Sequence, residues 1–311
     1  MAKYIFGVDV GGTTVKMGLF TVEGELQSKW EIPTRKEAAG VNILPDIADS
    51  IRDNMKSHNL TEADIEGIGI GVPGPVDGSG VIHGAANLGW GEFSVKENME
   101  RALGIRTEVG NDANVAALGE MWAGGARGYS NVVMVTLGTG VGGGVIVDGK
   151  IVNGATGAGG EIGHLHVNDD EDDVCGCGNK GCLEQYSSAT GVVRIAKKKL
   201  QELAQPSSLR DKDIKAKDIF DAMKLGDGIA IEVGKVYGEY LGRGLAMVSA
   251  VVNPEVFCIG GGVAYAGQIV IDYLKPSYEK YAFRGCRDVD FTLATLGNDA
   301  GIYGGAKLVI G

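Results

Sequence analysis

The feature of this sequence that most constrains its fold is a strand–turn–strand unit that occurs twice. Each copy has an apolar strand, a turn of glycine and threonine, and a second apolar strand, with bounds Tyr4–Asp9, Gly11–Thr14 and Val15–Phe20 in the first copy and Asn131–Leu137, Gly138–Gly140 and Gly142–Val147 in the second. Short apolar runs bounded by glycine are typical of buried strands. The repetition predicts two related α/β halves that face each other across a cleft.

The segments between and after these copies predict the helices and strands of an α/β protein. The pattern predicts helices at Ile43–His58, Asn114–Trp122, Ile229–Asn253 and Ala300–Ile310, and strands at Ile65–Val72 and Val256–Ile259. No low-complexity linker separates the halves, so we expect a fixed arrangement of elements.

Charge and composition exclude several classes of partner. The net charge of −11 argues against nucleic acid and against an anionic membrane surface, because both require a basic face. No apolar run reaches transmembrane length, and the N-terminal residues contain no signal peptide. We therefore expect a cytoplasmic protein, in which five cysteines indicate a metal site rather than a disulfide framework.

The glycine turns are candidate phosphate-binding loops. Of the 52 glycines, several stand at strand ends, where exposed backbone N–H groups bind anions. Asp9 at the end of the first strand is the expected ligand of Mg²⁺, usually through water. Either turn alone can be a simple glycine hairpin, but two of them with a third at Gly260–Gly262 favour a nucleotide. Neither is a Walker A loop or a dinucleotide fingerprint.

Asp112 is the candidate general base. The segment Asn111-Asp112-Ala113-Asn114 follows a short strand and begins a helix. An aspartate at this place is ordinarily a helix cap. The functional alternative is a carboxylate at the cleft that accepts a proton from a substrate hydroxyl as the oxygen attacks phosphorus.

Three cysteines at metal-ligand spacing predict a zinc site. Cys175, Cys177 and Cys182 with one histidine form a closed tetrahedral set, which leaves no position for an activated water, so the zinc is expected to be structural. Glu161 and Glu184 flank this set as acceptors for sugar hydroxyls. The nearby acidic run Asp169–Asp173 is expected to be a solvated loop.

These motifs together resemble the ROK family (repressor, open reading frame, kinase), and within it the ATP-dependent glucose kinases. The resemblance covers essentially the whole chain and rests on the motifs Asp9-Val-Gly-Gly-Thr13, Asn111-Asp112-Ala-Asn, Leu137-Gly-Thr-Gly-Val-Gly-Gly-Gly, Glu161-Ile-Gly-His164 and Cys175-Gly-Cys177-Gly-Asn-Lys-Gly-Cys182-Leu-Glu184. It implies the actin-like ATPase (ribonuclease H-like) fold. The implied domains are a small one of residues 1–112 plus about 299–311 and a large one of residues 113–298 that carries the zinc loop.

The resemblance also implies the reaction and the residues that perform it. The expected reaction transfers phosphate from ATP with Mg²⁺ to the 6-hydroxyl of glucose, with Asp112 as general base. The implied sugar-binding residues are Asn111, Asp112, Glu161, His164 and Glu184. The implied ligands of one structural Zn²⁺ are His164, Cys175, Cys177 and Cys182, with His166 as the competitor of His164. The expected nucleotide-binding residues are Asp9, Gly11, Gly12, Thr13, Thr14, Gly138, Thr139, Gly140, Gly260, Gly261 and Gly262.

Several alternatives remain at this point. A kinase for another hexose, such as N-acetylmannosamine, fructose or allose, would use the same catalytic parts, and the phosphoryl donor can be ATP, another triphosphate or polyphosphate. A repressor of the same family would need an N-terminal helix-turn-helix, whereas the first strand here begins at Tyr4. Many relatives have lysine where this chain has Thr14, so no lysine contact to phosphate is carried over. A homodimer or homotetramer is expected.

Overall fold

The computed structural model describes residues 3–311, so Met1 and Ala2 of the predicted small domain lie outside the described residues. The strands are β1 (Tyr4–Val10), β2 (Thr14–Thr21), β3 (Leu26–Pro33), β4 (Ile65–Val72), β5 (Val81–Ala85), β6 (Trp90–Ser94), β7 (Thr107–Asn111), β8 (Val132–Leu137), β9 (Val141–Val147), β10 (Lys150–Ile151), β11 (Val256–Gly260) and β12 (Asp290–Leu293). The helices are α1 (Glu37–Gly40), α2 (Ile43–Ser57), α3 (Val95–Leu103), α4 (Asp112–Ala123), α5 (Glu184–Ser187), α6 (Ala189–Glu202), α7 (Ala216–Lys224), α8 (Gly228–Val252), α9 (Ile269–Tyr281) and α10 (Ala300–Ile310).

The two large sheets have the same topology. Their strand orders are β3-β2-β1-β4-β7 and β10-β9-β8-β11-β12, which is the same order when each sheet is numbered from its own first strand. In the first sheet β2 is antiparallel to β1 and β3, while β4 is parallel to β1 and β7. In the second sheet β11 is parallel to β8 and β12, and β10 is antiparallel to β9. The predicted repeat is confirmed.

The described residues group into two compact units. The first unit comprises the described residues up to Ser130 together with Gly144–Gly160 and Leu296–Gly311, and the second comprises Asn131–Gly143 and Glu161–Thr295. These contacts assign α4 to the first unit, whereas the sequence-based division after residue 112 assigns it to the large domain; that division stays a prediction. Within residues 3–311, none of the helices is both long enough and apolar enough to cross a bilayer.

Side-chain alternation on β1 gives the first unit two cores, one on each face of its sheet. Phe6 and Val8 face one way and pack with Ile47 of α2 in the larger core. Ile5 faces the other way and packs with Ile302 of α10. Because side chains alternate along a strand, one buried strand can serve both layers.

Helix α10 packs on the first unit with its backbone in direct contact with neighbouring backbone. A Cβ added at Gly69 of β4 would lie 1.7 Å from the carbonyl oxygen of Gly305. A Cβ added at Gly304 would lie 1.7 Å from the carbonyl oxygen of Val115 in α4. Such separations leave no room for any side chain. Glycine at these positions therefore sets how close α10 lies to β4 and α4.

We predict that Gly304→Ala destabilises the protein by about 3 kcal/mol or more, because the added methyl overpacks this contact. In an unconstrained helix interior the same change would stabilise by about 1 kcal/mol. The measurement is urea unfolding of each variant. Gly91→Ala is the matched control, since a Cβ there meets nothing within 4 Å, and it should change the free energy of unfolding by less than about 0.5 kcal/mol. A Gly304→Ala protein as stable as wild type would refute the contact.

Candidate active site and metal centre

In the first unit, the predicted residues collect at one edge of the sheet. Because β1, β4 and β7 are parallel, their carboxyl ends lie at the same edge. Asp9 pairs with Gly71 of β4, and Gly71 pairs with Gly110 of β7, one residue before Asn111. With strands about 4.8 Å apart, this register places the backbone of Asp9 roughly 10 Å from that of Gly110.

The environment of Asp9 favours its protonated form. Burial, followed by the negative charge of Asp112, raises the pKa of Asp9 from 3.8 to about 6, against an opposing effect of Lys16. Part of the burial comes from α10, since a Cβ added at Gly301 would lie 2.7 Å from Oδ2 of Asp9. A cation beside this carboxylate would favour the ionised form. Asp9 is therefore mostly ionised above about pH 6, and its role as a ligand of Mg²⁺ stays a prediction.

Asn111, and not Asp112, caps helix α4. Oδ1 of Asn111 accepts hydrogen bonds from the N–H groups of Ala113 (3.0 Å) and Asn114 (3.2 Å). Its Nδ2 donates to the carbonyl of Gly74 at 3.1 Å, which leaves one amide proton for another acceptor. Asp112 occupies the first turn of α4, where the helix dipole favours a negative charge. The N-cap residue is therefore Asn111, while Oδ1 of Asp112 also accepts from the N–H of Ala113 at 2.8 Å.

Thr34 holds the first glycine turn by two hydrogen bonds to its backbone carbonyl groups. The N–H of Gly11 donates to the carbonyl of Thr14 at 3.0 Å, which closes the turn between β1 and β2. The hydroxyl of Thr34 donates to the carbonyl of Gly11 at 2.7 Å, and its N–H donates to the carbonyl of Thr13 at 2.9 Å. These bonds occupy carbonyl groups of the turn and thereby fix its shape. The first unit holds the predicted residues Asp9, Gly11, Gly12, Thr13, Thr14, Asn111 and Asp112.

In the second unit, the other two glycine loops lie against each other. Gly138 donates to the carbonyl of Gly140 at 3.0 Å and closes the turn between β8 and β9. Gly261 has φ +81°, and a Cβ there would lie 2.6 Å from the backbone nitrogen of Leu137. Both the left-handed conformation and the close approach require glycine. The loop after β11 therefore packs against the backbone at the end of β8, next to the loop that follows β8.

A cavity of about 390 Å³ adjoins the second of these loops, and the sequence analysis did not predict it. Its wall includes Gly262, Val263 and Tyr265 after β11, and Lys215 and Phe220 from the α7 region. An apolar wall with an aromatic ring and a few polar groups is typical of a small-molecule site. Its walls come from segments far apart in the sequence, so no local signal identified it.

The four predicted zinc ligands come together. The ligand atoms of His164, Cys175, Cys177 and Cys182 all lie within 4.8 Å of one another. Sγ of Cys175 is 3.7 Å from Nδ1 of His164, and Sγ of Cys177 is 3.6 Å from Sγ of Cys182. Ligands about 2.0–2.3 Å from a tetrahedral zinc lie roughly 3.5–3.8 Å apart. The Cys₃His set therefore fits a zinc ion in both chemistry and spacing.

His164 rather than His166 belongs to this group. Nδ1 of His164 faces the thiols, while its Nε2 is 4.0 Å from a carboxylate oxygen of Glu161. His166 is engaged elsewhere, with Nδ1 2.9 Å from the carbonyl of Lys180 and Nε2 2.7 Å from Oδ1 of Asp169. The Asp169 carboxylate raises the pKa of His166, which favours the protonated imidazolium over a neutral metal ligand.

The two predicted sugar-binding carboxylates border the thiol group. Glu161 precedes a short 3₁₀ helix at Ile162–His164 and is exposed. Oε1 of Glu184 accepts from the thiol of Cys175 at 2.9 Å and is 3.9 Å from Nδ1 of His164. A zinc-bound Cys175 is a thiolate with no proton to donate, so the metal would leave Glu184 beside the group without this hydrogen bond.

The sequence of the whole chain matches one family model, that of the ROK family, over residues 5–311. This chain belongs to the ROK family. It is 42% identical to a glucokinase of Halalkalibacterium halodurans, in an alignment that covers 99% of this chain and 95% of the relative. The resemblance identified from the motifs is confirmed.

Solved structures of ROK proteins share the fold of this chain. A ROK hexokinase from Thermus thermophilus superposes with a TM-score of 0.82 at 32% identity, covering 98% of this chain and 97% of that one. A ROK glucokinase from Streptomyces griseus, solved in complex with glucose and AMPPNP, gives a TM-score of 0.72 at 32% identity and 98% coverage of both chains. With the two matching sheets, these neighbours confirm the actin-like ATPase fold.

One prediction for the ROK zinc loop was wrong. The Asp169–Asp173 run is not simply solvated, because the side chain of Glu171 is only 8% exposed. Arg194 of α6 donates to both carboxylate oxygens of Glu171, and this ion pair lowers the pKa of Glu171 to about 2. Arg194 also donates to the carbonyl of Gln185 at 3.1 Å, so it ties the acidic loop to α5. A partner so distant in sequence gave no local signal.

We predict that elemental analysis of the wild-type protein finds one zinc per chain. Cys177→Ser should lower this to below about 0.2, because a serine hydroxyl does not replace a thiolate ligand. Cys286→Ser is the control: its thiol lies outside the group and donates to the carbonyl of Ser249, which a hydroxyl can also do. Zinc-free wild type, or full zinc occupancy in Cys177→Ser, would contradict the assignment.

Proposed function

We propose that this chain transfers the γ-phosphoryl group of ATP to the 6-hydroxyl of glucose, giving glucose 6-phosphate and ADP. The observation that carries this proposal is the 42% identity, over 99% of the chain, to a protein named glucokinase. The contents of the two units, each taken by itself, support it, because each holds groups that phosphoryl transfer to a sugar needs.

The proposed general base is Asp112. Asn111 is the N-cap of α4, and Oδ1 of Asp112 accepts from the N–H of Ala113, a bond that holds the carboxylate at the start of the helix. In this role Asp112 accepts the proton of the 6-hydroxyl as that oxygen attacks the γ-phosphorus. The bond from the γ-phosphorus to the bridging oxygen of ATP breaks, and ADP leaves with the electron pair.

The proposed phosphate site uses backbone N–H groups of the glycine loops, which bind anions without side-chain bulk. Asp9 would hold Mg²⁺ through water, consistent with its place at the end of β1 beside the first loop. That ion would supply positive charge that neutralises the phosphates. The cavity lined by Phe220 and Tyr265 is the proposed site of the adenine ring, since it adjoins the Gly260–Gly262 loop.

The proposed sugar-binding groups of the second unit are Glu161, His164 and Glu184, and those proposed in the first unit are Asn111 and Asp112. Carboxylates accept hydrogen bonds from sugar hydroxyls, and the Nε2–H of a zinc-bound His164 donates one. Zinc would supply only positional restraint, because four protein ligands close its coordination. The expected homodimer or homotetramer and the cytoplasmic location stay predictions.

A panel of hexoses with ATP tests the proposal. We predict the highest kcat/KM for glucose, with N-acetylmannosamine, fructose and allose at least about tenfold lower, because a site that hydrogen-bonds each hydroxyl rejects altered ones strongly. The readout is ADP release, with the product identified by phosphorus-31 NMR. A higher kcat/KM for another hexose would show that this hexose, and not glucose, is the preferred substrate. No phosphorylation of any hexose would refute the proposal.

A further inference from the structure

Two hydroxyl groups at the start of α6 connect Glu184 to the Gly138–Gly140 loop. The hydroxyl of Ser188 is 2.6 Å from the carbonyl of Glu184, and the hydroxyl of Thr190 is 2.8 Å from the carbonyl of Thr139. The two hydroxyl oxygens are 2.9 Å apart. Two hydroxyl side chains in short contact thus connect the backbone of Glu184, a proposed sugar-binding residue, to the proposed phosphate loop.

The two hydroxyl groups have too few protons for all three of these contacts to be hydrogen bonds at the same time. Two hydroxyl protons serve three oxygen–oxygen contacts, and the N–H of Gly191 already donates to the Ser188 hydroxyl. The arrangement that satisfies both carbonyls leaves no proton between Ser188 and Thr190. A shift of the Thr139 carbonyl frees the Thr190 proton to turn to the Ser188 oxygen, and a shift of the Glu184 carbonyl frees the Ser188 proton to turn to the Thr190 oxygen.

Ser188, Ala189 and Thr190 separate two cavities of the second unit. Ser188 and Thr190 line a cavity of about 400 Å³ together with Gly140, Cys175 and Glu184. Ala189, between them, lines the cavity of about 390 Å³ that contains Gly262 and Tyr265. The turn at the start of α6 is thus a wall shared by two cavities, the one that contains Cys175 of the zinc loop and the one proposed to bind adenine.

Two further contacts tighten this wall. The N–H of Ala189 donates to the carbonyl of Gly138 at 2.8 Å. A Cβ added at Gly140 would lie 2.6 Å from Oε2 of Glu184, so the carboxylate lies directly over the loop backbone. Neither the loop nor Glu184 can move far without displacing the other.

We propose that Thr190, with Ser188, is a positioning residue that couples sugar binding to nucleotide binding within the second unit. This inference rests on the proposed function, because it takes Glu184 as a sugar ligand and the Gly138–Gly140 loop as a phosphate ligand. Glucose on Glu184 holds the Ser188–Thr190 pair, which holds the Thr139 carbonyl and pre-forms the loop for phosphate. Because coupling of equilibria is reciprocal, AMPPNP tightens glucose by the same factor.

The test measures AMPPNP affinity by calorimetry with and without saturating glucose. In wild type, we expect glucose to tighten AMPPNP by at least about fivefold, the effect of one net hydrogen bond of about 1 kcal/mol. Thr190→Val and Thr190→Ala should each lower this factor to below about twofold. Thr190→Ser keeps the hydroxyl and should retain the wild-type factor. Thr190 is exposed, so these changes should leave the melting temperature nearly unchanged.

Three results would overturn the inference: no effect of glucose on AMPPNP affinity in wild type, a wild-type factor in Thr190→Val, or loss of the factor in Thr190→Ser. Turnover of glucose by wild type is measured separately. If wild type phosphorylates glucose and the Thr190 variants keep full coupling, the proposed function stands and only the coupling role fails. If wild type phosphorylates no glucose, the proposed function itself fails.

Discussion

The first unit depends on the contact of α10 with β4 and α4, in which backbone meets backbone. Gly69, Gly304 and Gly305 leave no space for a side chain, so the separation of the elements is set by main-chain atoms alone. This contact also determines the proposed chemistry. It lays the first turn of α10 over Asp9, whose pKa rises with that burial, and it fixes α4, whose first turn carries Asp112.

The proposed sugar-binding residues of the second unit lie in loops and short helices, and not on the long elements of a sheet. Glu161 and His164 lie around a single 3₁₀ turn, and Glu184 begins a helix of four residues. Ile162 and Tyr186 anchor these short segments in the core, and a metal that joined His164 to the three thiols would add a second restraint. The Arg194–Glu171 ion pair and the Ser188–Thr190 contacts add local restraint, one on each side of α5. The zinc loop is therefore best understood as a positioning device and not as a centre of catalysis.

Much of the fold could be predicted from the sequence because its signals are local. The repeated strand–turn–strand unit anticipated two sheets of equal topology, and the final helix was predicted at Ala300–Ile310, where it is found. Thiol spacing identified the metal group for the same reason. The choice of His164 over His166 required the structure, because it depends on Asp169 and Lys180 holding His166 away. The cavity lined by Phe220 and Tyr265 combines segments more than forty residues apart, which no local pattern reveals.

The central claim is that Asp112 is the base of a glucose kinase, and Asp112→Asn tests it most directly. The amide keeps the shape of the side chain but accepts a proton far less readily, so kcat should fall by at least about 100-fold, within the range for loss of a general base. Glucose affinity by calorimetry should stay within about fivefold of wild type. Glu66→Gln, the same change at an exposed position on β4, should leave both unchanged. A kcat for Asp112→Asn within tenfold of wild type would contradict the account.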